Sequence, residues 1–167
     1  MERTDIHSIT EQEQKKLDRH FMQIALTEAQ LAAQEGEIPI GAVLVWNQNQ
    51  VVAIAHNLVE NDKNATRHAE LICLNEAMSK LQMKYLTQAT MYVTLEPCPM
   101  CAGALVLSKV KRLVYGATDP KAGAVSSLYS ITSDQRLNHR LEIIPGVMEQ
   151  ECSEILKSFF KKLRDKS

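Results

Sequence analysis

Two cysteines, Cys98 and Cys101, stand three positions apart in the run Glu96-Pro97-Cys98-Pro99-Met100-Cys101. If a helix begins there, both sulfurs face one point just off its start. The N–H groups and the positive dipole end of a helix start lower thiol pKa values, which prepares the sulfurs either for zinc or for redox work. The spacing alone leaves both open. His68-Ala69-Glu70, which lies 30 residues before Cys98, breaks the tie. An imidazole and two thiolates make three ligands, the number that zinc keeps in catalytic sites, with water in the fourth place. Glu70 then has work to do. Bound zinc lowers the pKa of its water toward about 7, and a carboxylate beside that water can take its proton and hand it on. Water activated in this way can attack an electron-poor ring carbon.

The elements that must hold these residues can be read from pattern. From His20 to Gln34 the set Met22, Ala25, Leu26, Ala29, Ala32 and Ala33 recurs at helical steps, and Gly36 ends the run. Ile38 to Trp46 and Val51 to Ala55 are β-rich and are joined by the polar Asn47 to Gln50, which predicts a hairpin. A polar loop follows Asn57, and Thr66 to Leu81 has helical character with Thr66 as its expected cap. Met91 to Leu95 reads as a buried strand running into Glu96, and Pro99 suits the first turn of the next helix. Arg112 to Ala117 reads as a strand, with Lys109, Lys111 and Arg112 expected to serve the preceding helix end. Asp119 to Asn138 reads as loop, Leu141 to Ile144 as a last strand, and Glu149 to Leu163 as a closing amphipathic helix. The order α-β-β-α-β-α-β-β-α predicts an α/β protein, three-layer α-β-α, with a central mixed sheet of about five strands.

Composition sets the frame. The chain has 167 residues, 45% hydrophobic and 23% charged, with 19 Lys plus Arg against 20 Asp plus Glu, as expected for one domain. We expect residues 1–19 to be a polar N-terminal extension and residues 20–167 a single domain. A chain this long buries roughly 70% of its unfolded surface, so it needs no metal merely to fold. A metal site therefore asks for another reason. No apolar window reaches the length of a membrane span, and Met1 to Gln14 lacks the apolar core of a signal peptide, so an intracellular, cytoplasmic protein without membrane attachment is expected. In that reducing setting four cysteines point to metal or redox chemistry before disulfides. Cys73 and Cys152 are expected to be buried small hydrophobes.

His68-Ala69-Glu70 with Pro97-Cys98-Pro99-Met100-Cys101 reproduces the H-x-E…P-C-x-x-C signature of zinc nucleobase deaminases. These enzymes are themselves the defining example of that signature, so the step to deamination rests on resemblance. The chain resembles the bacterial tRNA-specific adenosine deaminases of the cytidine deaminase-like superfamily. The resemblance runs through IPIGAVLV (Ile38 to Val45), Asn57, HAE (His68 to Glu70), YVTLEPCPMCAGA (Tyr92 to Ala104), VYGATDPKAGA (Val114 to Ala124), NHRLEI (Asn138 to Ile143) and SFF (Ser158 to Phe160). It implies a cytidine deaminase-like fold, conversion of the wobble adenosine of an arginine tRNA to inosine, and a homodimer. It implies one zinc per subunit on His68, Cys98 and Cys101, with Glu70 as proton shuttle and Asn57 and Ala69 at the base. RNA contacts are expected from Asp119, Lys121, His139, Arg140, Lys161 and Arg164, with the tRNA anticodon stem-loop as partner.

Two other functions fit part of the pattern. The first keeps the chemistry and changes the substrate to free guanine, cytosine or a nucleoside, since PCPMC is also familiar from guanine deaminases. Against it, the end of the chain from residue 157 carries Lys157, Lys161, Lys162, Arg164 and Lys166 against the single acid Asp165. Such a stripe suits a polyanion, although it equally describes a solvated helix face. The second is a non-catalytic zinc-binding module, which would need a fourth ligand and leave Glu70 idle.

Overall fold

The computed structural model describes residues 8–167. Its elements are α1 (Glu11–Gln34), β1 (Gly41–Trp46), β2 (Gln50–His56), α2 (Ala69–Leu81), β3 (Ala89–Leu95), α3 (Pro99–Leu107), β4 (Arg112–Ala117), β5 (Glu142–Ile144) and α4 (Glu149–Asp165), with a 3-10 turn at Ile131–Ser133. The strands form one mixed sheet in the order β2-β1-β3-β4-β5. β1 is antiparallel to β2 and β3, whereas β3, β4 and β5 run parallel. Side chains alternate across it. Ala42, Leu44, Met91, Val93, Leu113 and Tyr115 face one core with residues of α2 and α3, and Val43, Val45, Tyr92 and Val114 face another with residues of α1 and α4. Both faces are covered, which is why the strands read as nearly unbroken apolar runs. The three-layer expectation holds. Four helices on a five-strand mixed sheet agree with the fold that the resemblance implies.

Several boundaries move. α1 begins at Glu11, nine residues before the expected His20, because Thr10 and Glu13 form a reciprocal cap: the Glu13 N–H donates to Thr10 Oγ1 (3.1 Å) and the Thr10 N–H to Glu13 Oε2 (2.7 Å). Residues 11–19 of the polar segment are therefore helix, and residues 1–7 lie outside the described residues. Gly36, at φ 79°, supplies the left-handed turn just past the helix end, as its type suggests. α2 starts at Ala69 with His68 as N-cap; Thr66 instead donates its hydroxyl to Asn64 (2.8 Å).

Arg112 does not serve the end of α3. It opens β4, 8% exposed, and its two terminal nitrogens donate to Asp18 at 2.6 and 2.7 Å. Asp18 also accepts from the Tyr92 hydroxyl at 2.9 Å, so α1 is tied to the sheet through a carboxylate that reads as an exposed charge in sequence. The closing amphipathic helix is present as α4, but its apolar side is unevenly covered. Cys152 is fully buried and Ile155 packs against the core, but Phe160 and Leu163 remain 39% and 49% exposed.

Candidate active site

Two helix starts meet at one end of the sheet. β3 ends at Leu95 beside Ala117 of β4, and the chain turns through Glu96 and Pro97 into Cys98, the N-cap of α3, with Pro99 at the first helical position. His68 is the N-cap of α2. Neither cap side chain bonds its own helix backbone, which leaves the imidazole and the thiol free to turn toward each other. His68 Nδ1 lies 3.5 Å from Cys98 Sγ and 3.6 Å from Cys101 Sγ. Zinc with sulfur at about 2.3 Å and nitrogen at about 2.0 Å in tetrahedral geometry sets those atoms roughly 3.5 Å apart. The donors fit the ion. Among the described residues they are the one group of His, Cys, Asp or Glu found close enough together to hold a metal, and no fourth ligand joins them.

Charge at the site follows from burial and neighbours. Cys98 is pulled down to about 4, first by its hydrogen bond with the Cys101 thiol and, against burial, by His68. Cys101 moves the other way, because the Cys98 sulfur holds its proton and burial and Glu70 oppose a second negative charge. His68 is raised, chiefly by its bond to Cys98. A divalent cation bound by these donors would allow two thiolates and a neutral imidazole to stand side by side. Glu70, the second residue of α2, is 4% exposed beside Cys101, and burial raises its carboxyl above the usual range. A carboxyl in this place can accept a proton from one group and return it to another.

Asn57 follows β2 directly and is buried. Its Oδ1 accepts the Ala69 N–H at 2.9 Å, and its own N–H donates to the Ile40 carbonyl at 3.2 Å. The first N–H of α2 is satisfied by a residue 12 positions upstream, so Asn57 fixes the segment that carries His68 and Glu70. Cys73 and Cys152 are buried free thiols away from this group, with Cys73 donating to the Ala42 carbonyl (3.4 Å).

A model of the MafB19-like deaminase family matches residues 16–164. The tRNA-specific adenosine deaminase of Bacillus subtilis is 48% identical over 149 residues, which cover 89% of this chain and 92% of that one. The Aquifex aeolicus protein of the same description is 44% identical and covers 87% and 95%. The chain belongs to the tRNA-specific adenosine deaminase family. A chain solved in a study of A-to-I editing by tRNA:A34 deaminases superposes with TM-score 0.78 at 42% identity, over 82% of this deaminase and 99% of that chain. A guanine deaminase from Nitrosomonas europaea superposes with TM-score 0.74 at 18% identity over 84% and 83%, a likeness of fold.

The outlying residues of the deaminase fare differently. Lys121 lines a cleft of about 400 Å³ together with Ala117, Thr118, Lys157, Phe160 and Arg164, between the loop after β4 and the second half of α4. Lys161 is exposed on the same helix. Asp119 is engaged in its own turn, where Oδ1 accepts the N–H groups of Lys121 (3.1 Å) and Ala122 (3.2 Å). His139 Nε2 meets the Val110 carbonyl at 2.7 Å, and exposed Arg140 donates to the Gln135 carbonyl at 3.3 Å, so NHR closes a loop as well as facing outward. Sequence reasoning missed Glu96. It is 2% exposed and gathers the backbone of residues 119–127 onto its carboxylate. Its place inside the LEPC run, an acid at the end of an apolar strand directly before Pro97 and Cys98, was the available signal.

Proposed function

We propose that this deaminase hydrolyses the wobble adenosine of tRNA to inosine at a single zinc held by His68, Cys98 and Cys101. The observation that carries the reading is the donor triangle with a buried carboxylate beside it; the names of the curated relatives supply the substrate. Those three residues would hold the zinc, which would supply an acidified water. Glu70 is placed to hold a proton and to hand it to the ring nitrogen next to the amino-bearing carbon. It then carries the second proton to the departing amine, so that adenosine and water leave as inosine and ammonia. The Asn57 amide nitrogen donates to the base while its oxygen stays on Ala69, whose backbone walls the pocket. Both helix starts aim positive dipole ends at the reacting centre, which favours the negative charge that builds up on attack.

The anticodon loop suits this pocket, because its bases are already unstacked and flipping one out costs little. Lys121, Lys157 and Arg164 around the α4 cleft are placed to neutralise phosphates of the stem. No helix among the described residues is long and apolar enough to cross a membrane, and we assign the enzyme to the cytoplasm with its tRNA. A homodimer is part of the same proposal: Leu107 of α3 is 79% exposed, and Leu128 and Tyr129 are more than half exposed, apolar side chains that a second copy would cover. The test is mass spectrometry of tRNA nucleosides after incubation with the purified chain, with guanine and cytosine as parallel substrates. Inosine at the wobble position with neither free base consumed supports the reading. Ammonia from guanine alone would move the enzyme to the free-base branch.

A further inference from the structure

Glu96 joins the metal-bearing junction to the loop that carries Lys121. Its own N–H donates to the Ala117 carbonyl (2.8 Å), which fixes the ends of β3 and β4 side by side. Its Oε1 accepts the Asp119 N–H (3.1 Å) and the Ser127 hydroxyl, and its Oε2 accepts the N–H groups of Val125 (3.1 Å), Ser126 (3.0 Å) and Ser127 (3.0 Å). Both ends of the loop are thus held by one ionised group, and bonds of this kind are about twice as strong as neutral ones. An independent observation agrees. A Cβ added to Gly123 would collide with the Glu96 carboxyl, so the loop closes over this side chain as tightly as glycine allows. The Ala124 N–H also donates to the Pro97 carbonyl (2.8 Å), one residue before Cys98. Between these anchors the Asp119 turn presents Lys121 to the cleft shared with Lys157, Phe160 and Arg164.

We propose that Glu96 is a positioning residue for RNA: it fixes Lys121 at a set distance from the metal-bearing start of α3, so that an RNA strand held in the α4 cleft is in register with the reacting centre. This rests on the tRNA reading above. Loss of the Glu96 charge leaves the loop N–H groups without a strong acceptor and frees the loop, while the donors His68, Cys98 and Cys101 stay on their own helix starts. The phosphate contact of Lys121 is lost with the loop's position, although Glu96 itself reaches no RNA.

The test is a double-mutant cycle on the full chain loaded with zinc, using Glu96→Gln, Lys121→Ala and both together, with Gly123→Ala as a second route to the same contact. Metal content, affinity for an anticodon stem-loop RNA at several salt concentrations, and trypsin cleavage after Lys121 are measured. Each single variant should bind RNA about fivefold more weakly near physiological salt and lose about 0.9 from the slope of log affinity against log salt, the share of one phosphate contact. The double variant should lose no more than the weaker single, since both remove the same contact. Zinc should stay, and Glu96→Gln and Gly123→Ala should speed cleavage after Lys121. Additive losses in the double variant would overturn the proposal, as would unchanged RNA affinity with falling metal content, which would place Glu96 in support of the metal. If wild type binds no stem-loop RNA, the tRNA reading fails instead. The cleavage arm then still decides whether Glu96 holds the loop, and unchanged cleavage would overturn that too.

Discussion

At the scale of single residues the account divides labour between ligands, a proton carrier and a clamp. Cys98→Ala or Cys101→Ala leaves a two-ligand remnant that binds zinc far less tightly, and elemental analysis of either purified variant should find the metal gone. Glu70→Ala should keep zinc and RNA binding but lose more than 10²-fold in turnover, the usual contribution of such proton transfer. Asn57 permits a finer dissection because its two amide atoms have separate partners. Asn57→Asp keeps an acceptor for the Ala69 N–H and removes the donor toward the base, so thermal stability should hold while activity falls. Asn57→Ala removes both and should also cost about 1–3 kcal/mol, read by denaturant titration, for the buried N–H left without its acceptor. That His68, Cys98, Cys101 and Glu70 would come together was legible because each lies within a residue or two of a helix start that the sequence announces. Glu96 was not, because the donors that define it lie 23 to 31 residues downstream in a stretch without periodicity.

At the scale of elements, the strands and helices were largely legible from period and punctuation, and the largest miss was α1, whose Thr10–Glu13 cap is local but whose tie to the sheet is not. The first turns of α1 look like loose, charged sequence until Asp18 meets Arg112, 94 residues later. No local pattern can show that pair. Burial alone would raise the Asp18 carboxyl, but hydrogen bonds from Arg112 and Tyr92 and the guanidinium charge hold it below its ordinary value. Its folded pKa therefore lies below its unfolded one. The stability it contributes is present above the unfolded value near 3.8 and is lost as pH falls through the lower folded value. Asp18→Ala should cost about 3 kcal/mol at neutral pH by taking from buried Arg112 its close partner and leaving it only the exposed Glu142 carboxylate, 3.7 Å away. Asp18→Asn should flatten the acid limb of the stability curve, measured by denaturant titration from neutrality downward. A limb of unchanged slope would show that other carboxylates govern acid unfolding.

At the scale of the whole molecule, near-neutral net charge conceals a separation of charge, with the basic end of α4 set against a more acidic body. The sequence showed the basic stripe, and beside it Phe160 and Leu163 stay 39% and 49% exposed among the described residues. Phe160 lines the cleft with Lys121 and Arg164, where an exposed aromatic ring among cations suits nucleic acid. Replacing Lys161 and Arg164 by Ala should weaken binding to all tRNAs alike and reduce the salt slope by roughly one unit per lost contact, with zinc content unchanged. An unaltered slope would reduce the stripe to a solvated helix face. The most direct test of the central claim, that one zinc and one buried carboxylate here deaminate the adenine of tRNA, is made on paired samples of wild type and Glu70→Gln. Zinc per chain and inosine formed at the wobble position are measured together. The account predicts about one zinc in both and inosine from wild type alone, and inosine from both at similar rates would contradict it.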